Sequence, residues 1–266
     1  MNKIDKGQVT GNAAEVYEEF FVPALFQRWA TPVANAAKIE SGQRVLDVAC
    51  GTGILARTVA ERVRPGGAVV GLDVNEGMLA VAKRQAPHIE WRSGVAEDLP
   101  FDTGNFDAVV SQFGLMFFEN RLAAIREMVR VLRPGGRLAV AVWDTLENTP
   151  GYAVMVNLLQ RLFGEEVANG LRAPYILGNV PELQSLFRAA GIPNAAITTH
   201  HGTAQFPSIT SWVYTDIKGW VLADMLDDAQ IELLLNEAEQ MLHPFVADQG
   251  AVTFSAPAHI ITFVKP

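Results

Sequence analysis

Residues 44–53 read RVLDVACGTG, a short apolar run that stops at a glycine-rich turn. Residues 54–63 follow with helical spacing of their apolar side chains and end at RPGG, a turn and breaker cluster. A second apolar run, residues 68–73, ends in Asp73. A strand, a glycine turn, a helix and a second strand in this order predict a β-α-β unit with parallel strands.

The same alternation continues along the chain. Apolar runs predict further strands at residues 88–93, 106–111 and 137–143, and helices are expected after Asn75 and Asn120, two favourable N-cap residues. The runs are mostly apolar rather than alternating, which is typical of parallel strands buried on both faces. We therefore expect an α/β fold with helices on both faces of the sheet. Its ligand site should lie at the carboxyl ends of the strands.

The remaining segments are less regular. Their spacing predicts three more helices, at residues 152–163, 181–190 and 227–243. Residues 195–205 and 259–264 resemble strands, and the first forty residues read as helical with an aromatic face that Pro23 must interrupt or kink. We see neither repeats nor a linker, so a single domain is expected.

Composition excludes several classes of protein. The chain has 266 residues, 49% of them hydrophobic and 19% charged, which argues against a disordered or collagenous chain. Cys50, the single cysteine, permits neither an internal disulfide nor a cysteine-based zinc site, and a small buried thiol is expected there. A net charge of −8 argues against a nucleic-acid partner. No signal peptide or run of about 20 apolar residues is evident, so we expect a cytoplasmic protein without a membrane span.

The glycine turn and the acid that follows it indicate the ligand. Gly51 and Gly53 let the backbone approach a ligand closely, and Asp73, 20 residues after Gly53, can accept hydrogen bonds from both hydroxyls of a ribose. The sequence GTGILA also satisfies the dinucleotide fingerprint, although a tight connection without a ligand is the alternative. Asp47 is unfavourable near a pyrophosphate but suits the ammonium group of an amino-acid-bearing ligand.

Five segments together resemble the class I S-adenosylmethionine-dependent methyltransferases, and in particular the ubiquinone/menaquinone-biosynthesis C-methyltransferases. They read VLDVACGTG at 45–53, GLDVNEGML at 71–79, AEDLPF at 96–101, FDAVVS at 106–111 and LRPGGR at 132–137. They follow the family's order and spacing over about residues 40–143. The resemblance implies a Rossmann-like, seven-stranded, mostly parallel sheet with helices on both faces. Its antiparallel last strand makes residues 195–205 and 259–264 the closing strands.

The resemblance also divides the chain and supplies a cofactor, S-adenosylmethionine, without a metal. Residues 1–266 would form one methyltransferase domain with a cofactor-binding core at about 36–143. A helical lid would come from residues 1–35, 145–194 and 208–245. The residues expected to contact the cofactor are Asp47, Ala49, Gly51, Thr52, Gly53, Asp73, Val74, Met78, Val95, Ala96, Glu97, Ser111 and Gln112.

Within that set the resemblance implies particular roles. Asp47 would lie near the amino group, Asp73 would bind the ribose hydroxyls, and Met78 would pack against adenine. Relatives often carry Asp or Asn where Val95 stands. Recognition of adenine would therefore rely on backbone groups near Ala96 and on Glu97.

Methyl transfer mainly requires that the acceptor be placed in line with the methyl group, and a general base is needed only where the acceptor must lose a proton. Tyr17 and His200 are the candidate catalytic residues. Tyr17 lies in a segment that folds over the cofactor in similar enzymes, with core packing as its alternative. His200 and His201 are adjacent, so on a strand at most one of them can face a site.

Apolar residues after the fourth strand and at the end of the fifth predict the acceptor pocket, and they are Phe113, Met116, Phe117 and Trp143. Further aromatic residues lie in the inserted segments, namely Tyr152, Phe163, Tyr175, Trp212 and Trp220. Such a set suits a small hydrophobic or aromatic acceptor, although each ring taken singly can equally belong to the core.

Two other functions remain open at this point. One is a NAD(P)-dependent Rossmann oxidoreductase, and the other is a non-catalytic protein that binds S-adenosylmethionine and serves a partner. Ser111-Gln112-Phe113-Gly114 stands in place of the motif of DNA amino-methylating enzymes, and Cys50 lacks the preceding proline that cytosine-C5 enzymes need. We expect a small-molecule acceptor and a monomer or homodimer.

Overall fold

The computed structural model describes residues 11–219, 222 and 225–266. Within these residues the strands are β1 (Arg44–Val48), β2 (Ala68–Asp73), β3 (Glu90–Ser93), β4 (Phe106–Gln112), β5 (Leu132–Trp143), β6 (Ala196–His200), β7 (Thr203–Phe206), β8 (Val252–Ser255) and β9 (Ala258–Val264). The α-helices are α1 (Gly11–Val16), α2 (Gln27–Ala36), α3 (Ile54–Val63), α4 (Glu76–Gln85), α5 (Arg121–Val131), α6 (Pro150–Phe163), α7 (Glu165–Arg172), α8 (Val180–Ala189), α9 (Ile209–Lys218) and α10 (Asp228–Met241).

The main sheet has seven strands in the order β3-β2-β1-β4-β5-β9-β6. β3, β2, β1, β4 and β5 pair in parallel, whereas β9 runs antiparallel to both β5 and β6. This confirms the predicted Rossmann-like sheet and its antiparallel strand. The chain reverses its direction of winding between β1 and β4, so the carboxyl ends of these two strands flank a crevice where a ligand can bind.

Local sequence explains the helices of the core. The side chain of Asn75 accepts a hydrogen bond from the Met78 amide at 3.1 Å, and that of Asn120 accepts one from Ala123 at 3.0 Å. Each asparagine thereby satisfies one of the free amides at a helix N-terminus. Helix α3 buries its apolar positions at helical spacing, as the sequence predicts.

The aromatic segment before β1 contains a π-helix, Tyr17–Phe26, between α1 and α2. Pro23 lies inside this π-helix and has no amide hydrogen to donate to the helical ladder. The interruption predicted at Pro23 therefore takes the form of widened helical turns, in which Phe21 and Phe26 are buried.

The prediction of one strand over residues 195–205 is wrong. β6 ends at His200, and β7 leaves the main sheet to pair with β8, which the sequence pattern did not reveal, in a two-stranded sheet. The break lies at Gly202, where a Cβ atom would meet the Trp29 ring at 2.3 Å and the Ala256 carbonyl oxygen at 2.5 Å. Only glycine allows the backbone to turn this closely against Trp29.

A cap of helices covers the carboxyl edge of the sheet. α6 packs against α7 and α10, and α10 packs against α9. The predicted helix at 227–243 is present as α10, whose N-terminus carries a capping box formed by Asp227 and Gln230. Among the described residues, no helix combines the length and the apolar character needed to cross a bilayer.

Candidate active site

The glycine turn after β1 has the geometry of a close backbone approach. Ala49, Gly51 and Gly53 have φ angles of 56°, 55° and 91°. At Gly53, a Cβ atom would also lie 2.3 Å from the ring of Trp91, so a side chain is excluded both by conformation and by space. At its two glycines the turn consequently brings the backbone, without a side chain, close to the crevice above β1.

Asp73 is fixed at the end of β2. One carboxylate oxygen accepts a hydrogen bond from the Gly51 amide and the other from the Asn75 amide, each at 2.8 Å. Burial raises the pKa of Asp73, and its backbone hydrogen bonds oppose that rise. The carboxylate thus ties the glycine turn to the start of α4 and keeps further lone pairs for a ligand.

Asp47 is only 1% exposed, and neither of its carboxylate oxygens has a hydrogen-bond partner of normal geometry in the described part of the chain, although the Ala56 amide lies nearby. Burial raises its pKa, while the amide of Ala56 in the first turn of α3 acts in the opposite direction. Unpartnered buried side-chain oxygens also occur at three other predicted site residues, Thr52, Ser111 and Gln112. A buried carboxylate without a partner is costly, so this cluster fits a ligand that brings a positive charge and hydrogen-bond donors.

A cleft of about 370 Å³ opens beside Asp73. It brings together several predicted residues, namely Ala49, Asp73, Val74, Val95, Ala96 and Glu97. Leu72, Gly94 and residues 117–120 complete its lining. Met78 does not line this cleft, because it is buried against Ala13 and Ala14 of α1. Its contact with adenine stays a prediction.

A second, aromatic cavity lies beneath the cap. Its lining consists of Tyr17, Phe21, Leu25, Phe26, Phe113, Phe117, Trp143, Tyr152, Leu171, Pro174, Tyr175 and Asp216. Three of the four predicted acceptor residues are in this set, whereas Met116 is buried in the core and does not reach the cavity. Phe117 lines both the cleft and the aromatic cavity, so the two spaces meet at its ring.

Stacked rings build the walls of the aromatic cavity. The ring of Phe26 stacks on that of Tyr17, with centroids 5.1 Å apart. It also contacts the ring of Phe113 at a tilt, with centroids 5.8 Å apart. The free volume inside is about 50 Å³, room for only a few water molecules. A planar ligand can therefore enter only where these rings or the cap move.

Tyr17 reaches toward the cofactor side of the site. Burial raises its pKa, and the nearby charge of Asp73 adds to the rise, so the phenol stays protonated. The next residue, Glu18, pairs with Arg57 at 2.7 Å, and Arg57 also donates to the Thr52 carbonyl at 2.7 Å. The π-helix is thereby fastened to the glycine turn, which supports the prediction that this segment covers the site.

No histidine is among the described residues that line the cleft or the aromatic cavity. His200, a predicted catalytic candidate, lies on the edge strand β6 and lines neither the cleft nor the cavity. His259, on β9, is buried between Thr199, Gly178 and Asp144, which makes it a structural cross-link. Cys50 is buried, as predicted, and burial raises the pKa of its thiol.

The polar residues of the aromatic cavity include one that the sequence analysis missed. Asp216, in α9, is 4% exposed and accepts a hydrogen bond from the Tyr152 hydroxyl at 2.9 Å. The sequence feature that could have revealed Asp216 is its position as the single acid in the largely apolar helix ITSWVYTDIK. Charged residues are almost never fully buried without a partner. Of the other aromatic candidates, Trp212 is fully buried, Phe163 packs against the core, and Trp220 lies outside the described residues.

Comparisons with known proteins agree with this geometry. Residues 45–136 match the methyltransferase domain family. Demethylmenaquinone methyltransferase from Staphylococcus carnosus is 31% identical over 188 residues, 65% of this chain and 78% of the relative. The enzyme of the same name from Listeria welshimeri is 32% identical over 197 residues, 68% of this chain and 83% of the relative.

Solved structures show the same fold at lower identity. Phosphoethanolamine N-methyltransferase 2 from Haemonchus contortus, solved with S-adenosylhomocysteine, superposes with a TM-score of 0.63 at 19% identity, over 99% of this chain and 59% of that one. YcgJ from Bacillus subtilis superposes with a TM-score of 0.60 at 20% identity, over 90% and 98% of the two chains.

The chain therefore belongs to the class I S-adenosylmethionine-dependent methyltransferases. It is an enzyme that uses S-adenosylmethionine as methyl donor, and the buried, unpartnered carboxylate of Asp47 fits the ammonium group of that cofactor. Within the class, its sequence is similar to the demethylmenaquinone methyltransferases over about two thirds of its length. Among the described residues, no group of three or more His, Cys, Asp or Glu is placed to hold a metal ion.

Proposed function

We propose that the enzyme methylates a small hydrophobic or aromatic acceptor bound in the aromatic cavity. The observation that carries this proposal is the position of Phe117, which lines both the cleft and the aromatic cavity. A methyl donor in the cleft and an acceptor in the cavity would meet beside this ring. Most of the catalytic effect would then come from placing the two reactants in line.

The cleft would hold the cofactor through residues of the core. Asp73 would accept hydrogen bonds from the ribose hydroxyls, and Asp47 would receive the ammonium group. The backbone near Ala96 and the carboxylate of Glu97 would contact adenine, because Val95 offers no polar group. When bound, the cofactor supplies an electrophilic methyl group on its sulfonium.

The aromatic cavity would select the acceptor. Its walls are almost entirely rings and aliphatic side chains, which favour a planar, apolar molecule. Demethylmenaquinone, which the name of the relatives gives as their acceptor, is a candidate for this chain as well. With a free volume of about 50 Å³, the cavity would admit any such molecule only after its rings or the cap move.

Methyl-labelled S-adenosylmethionine tests the proposal. The protein would be incubated with a panel of aromatic acceptors, including demethylmenaquinone, and the products identified by mass. A cavity-filling variant, Leu171→Phe, is expected to reduce turnover at least tenfold while it binds S-adenosylhomocysteine normally. Turnover unaffected by this substitution would move the acceptor site elsewhere. Cofactor binding without transfer to any acceptor would favour a non-catalytic role.

A further inference from the structure

Asp216 is the one acidic side chain among the described lining residues of the aromatic cavity. One carboxyl oxygen, Oδ1, accepts the hydroxyl of Tyr152 at 2.9 Å. The other oxygen, Oδ2, is buried and has no hydrogen-bond partner of normal geometry in the described part of the chain, although the Trp212 indole lies nearby. A buried carboxyl oxygen without a partner, on a residue that lines a cavity, favours a ligand that brings a hydrogen-bond donor to it.

The neighbourhood of Asp216 offers no opposite charge among the described residues that line the cavity. Tyr152 faces it from α6 and Tyr175 from the turn at residues 173–175, while Tyr17 lines the same cavity from the π-helix. No Lys, Arg or His is present in that lining. Among the described residues Asp216 therefore has no ion-pair partner, and its side chain is shielded from water. Its hydrogen bond from Tyr152 satisfies only one of its two carboxyl oxygens.

We propose that Asp216 binds the hydroxyl group of the aromatic acceptor through Oδ2 and takes up its proton during methyl transfer, with Tyr152 holding the carboxyl group in place. This rests on the proposed function, since it assumes that the acceptor occupies the aromatic cavity. It narrows the acceptor class to hydroxyl-bearing aromatic compounds such as phenols and hydroquinones.

The step balances in charge and electrons. An electron pair of the deprotonating acceptor forms the new bond to the methyl carbon, and the bond between that carbon and the sulfonium breaks, leaving a neutral thioether. The hydroxyl proton passes to the carboxylate of Asp216, which becomes a neutral acid. One positive and one negative charge disappear together, a favourable outcome in a site that excludes water.

The proton-acceptor role agrees with the chemistry of the group. Burial raises the pKa of Asp216 to about 8, while the Tyr152 hydroxyl and the Trp212 indole favour the carboxylate. A base with a pKa near the working pH combines a substantial ionised fraction with a useful affinity for protons.

Phenol and toluene make a matched probe pair, because one carries a hydroxyl where the other carries a methyl group. Their binding would be measured by equilibrium dialysis on the protein saturated with S-adenosylhomocysteine. At pH 9, where Asp216 is mostly ionised, we expect the wild type to prefer phenol by roughly tenfold, the effect of a hydrogen bond to a charged group. Asp216→Leu should abolish this preference, and Tyr152→Phe, which keeps Asp216, should retain most of it.

Two further variants separate the possible outcomes. Asp216→Asn cannot ionise, so its preference for phenol should not change between pH 7 and pH 9, whereas that of the wild type should rise. This comparison keeps the test valid if Asp216→Leu does not fold.

Leu171→Phe should weaken the binding of both phenol and toluene. If Leu171→Phe weakens neither, the proposed acceptor site itself is wrong. If it weakens both while Asp216→Leu still prefers phenol, or if the wild type shows no preference, the role of Asp216 alone is overturned.

Discussion

The rings of Phe113 and Trp143 lie face to face, with centroids 3.8 Å apart and planes only 5° from parallel. Phe113 follows β4 and Trp143 ends β5, so the stack joins the carboxyl ends of two neighbouring parallel strands. Phe113 reaches this position with a φ angle of 58°, an uncommon conformation for a residue with a large side chain. The sheet edge thereby becomes the floor of the aromatic cavity.

Phe117→Ala should affect the acceptor more than the cofactor. Removing this ring opens the aromatic cavity, and we expect the acceptor kcat/KM to fall at least tenfold, the effect of losing about 1.5–3 kcal/mol of apolar contact. The affinity for S-adenosylhomocysteine, measured by calorimetry, should change much less. Phe118→Ala is the matched control, because Phe118 lines the cleft alone. The reverse pattern in the two variants would place the acceptor on the other side of Phe117.

Asp73→Ala should weaken the binding of S-adenosylhomocysteine. The lost hydrogen bonds to the ribose involve a charged group, for which about 1.5–3 kcal/mol is expected. Isothermal titration calorimetry measures this directly. Asp228→Ala, which removes an exposed carboxylate in the first turn of α10, serves as the control and should bind normally. Unchanged affinity in Asp73→Ala would refute the ribose role.

Turnover of a hydroxyl-bearing acceptor should rise as the pH increases through about 8, the pKa of Asp216. Turnover rises rather than falls with pH because only the carboxylate, which predominates above the pKa, can accept the proton. Asp216→Asn should lose this rise. Tyr152→Phe should move its midpoint upward, since the Tyr152 hydroxyl lowers the pKa of Asp216. The pH dependence of initial rates checks all three proteins, and an unaltered rise in Asp216→Asn would assign the titration to another group.

Gly71→Ala should destabilise the fold through Trp91. A Cβ atom at residue 71 would lie 2.4 Å from the Trp91 ring and 3.1 Å from the Cys50 sulfur. Overpacking of this kind costs about 1–3 kcal/mol, which urea denaturation can measure as a lower free energy of unfolding. In the double variant with Trp91→Ala the effect of Gly71→Ala should largely disappear. Additive effects of the two substitutions would show that the crowding lies elsewhere.

Much of the core could be predicted from local signals. Asn75 and Asn120 cap their helices as expected, and the glycine turn and Asp73 meet where the alternation of strands and helices places them. These features depend on residues close in sequence or on the regular geometry of a parallel sheet. The pairing of β1 with β2 and β4, together with the strand order, places the other cleft residues near this turn.

The acceptor side was harder to predict because its contacts are remote in sequence. Asp216 meets Tyr152 across 64 residues, and the strand break at Gly202 packs against Trp29 and Ala256, which are remote from it in sequence. Met116 and Phe117 are adjacent in an apolar run, yet one is in the core and the other in the cavity. Hydrophobicity alone does not distinguish a core position from a cavity-lining position, since apolar side chains are found at both.

The most direct test of the account is transfer of a methyl label from S-adenosylmethionine to paired aromatic acceptors, one hydroxyl-bearing and one with a methyl group in its place. The account predicts a labelled product from the hydroxyl-bearing compound, at a rate that Leu171→Phe and Phe117→Ala reduce at least tenfold, with S-adenosylhomocysteine binding preserved in Leu171→Phe. Tight cofactor binding without labelled product from any aromatic acceptor, or turnover that neither substitution alters, would contradict it.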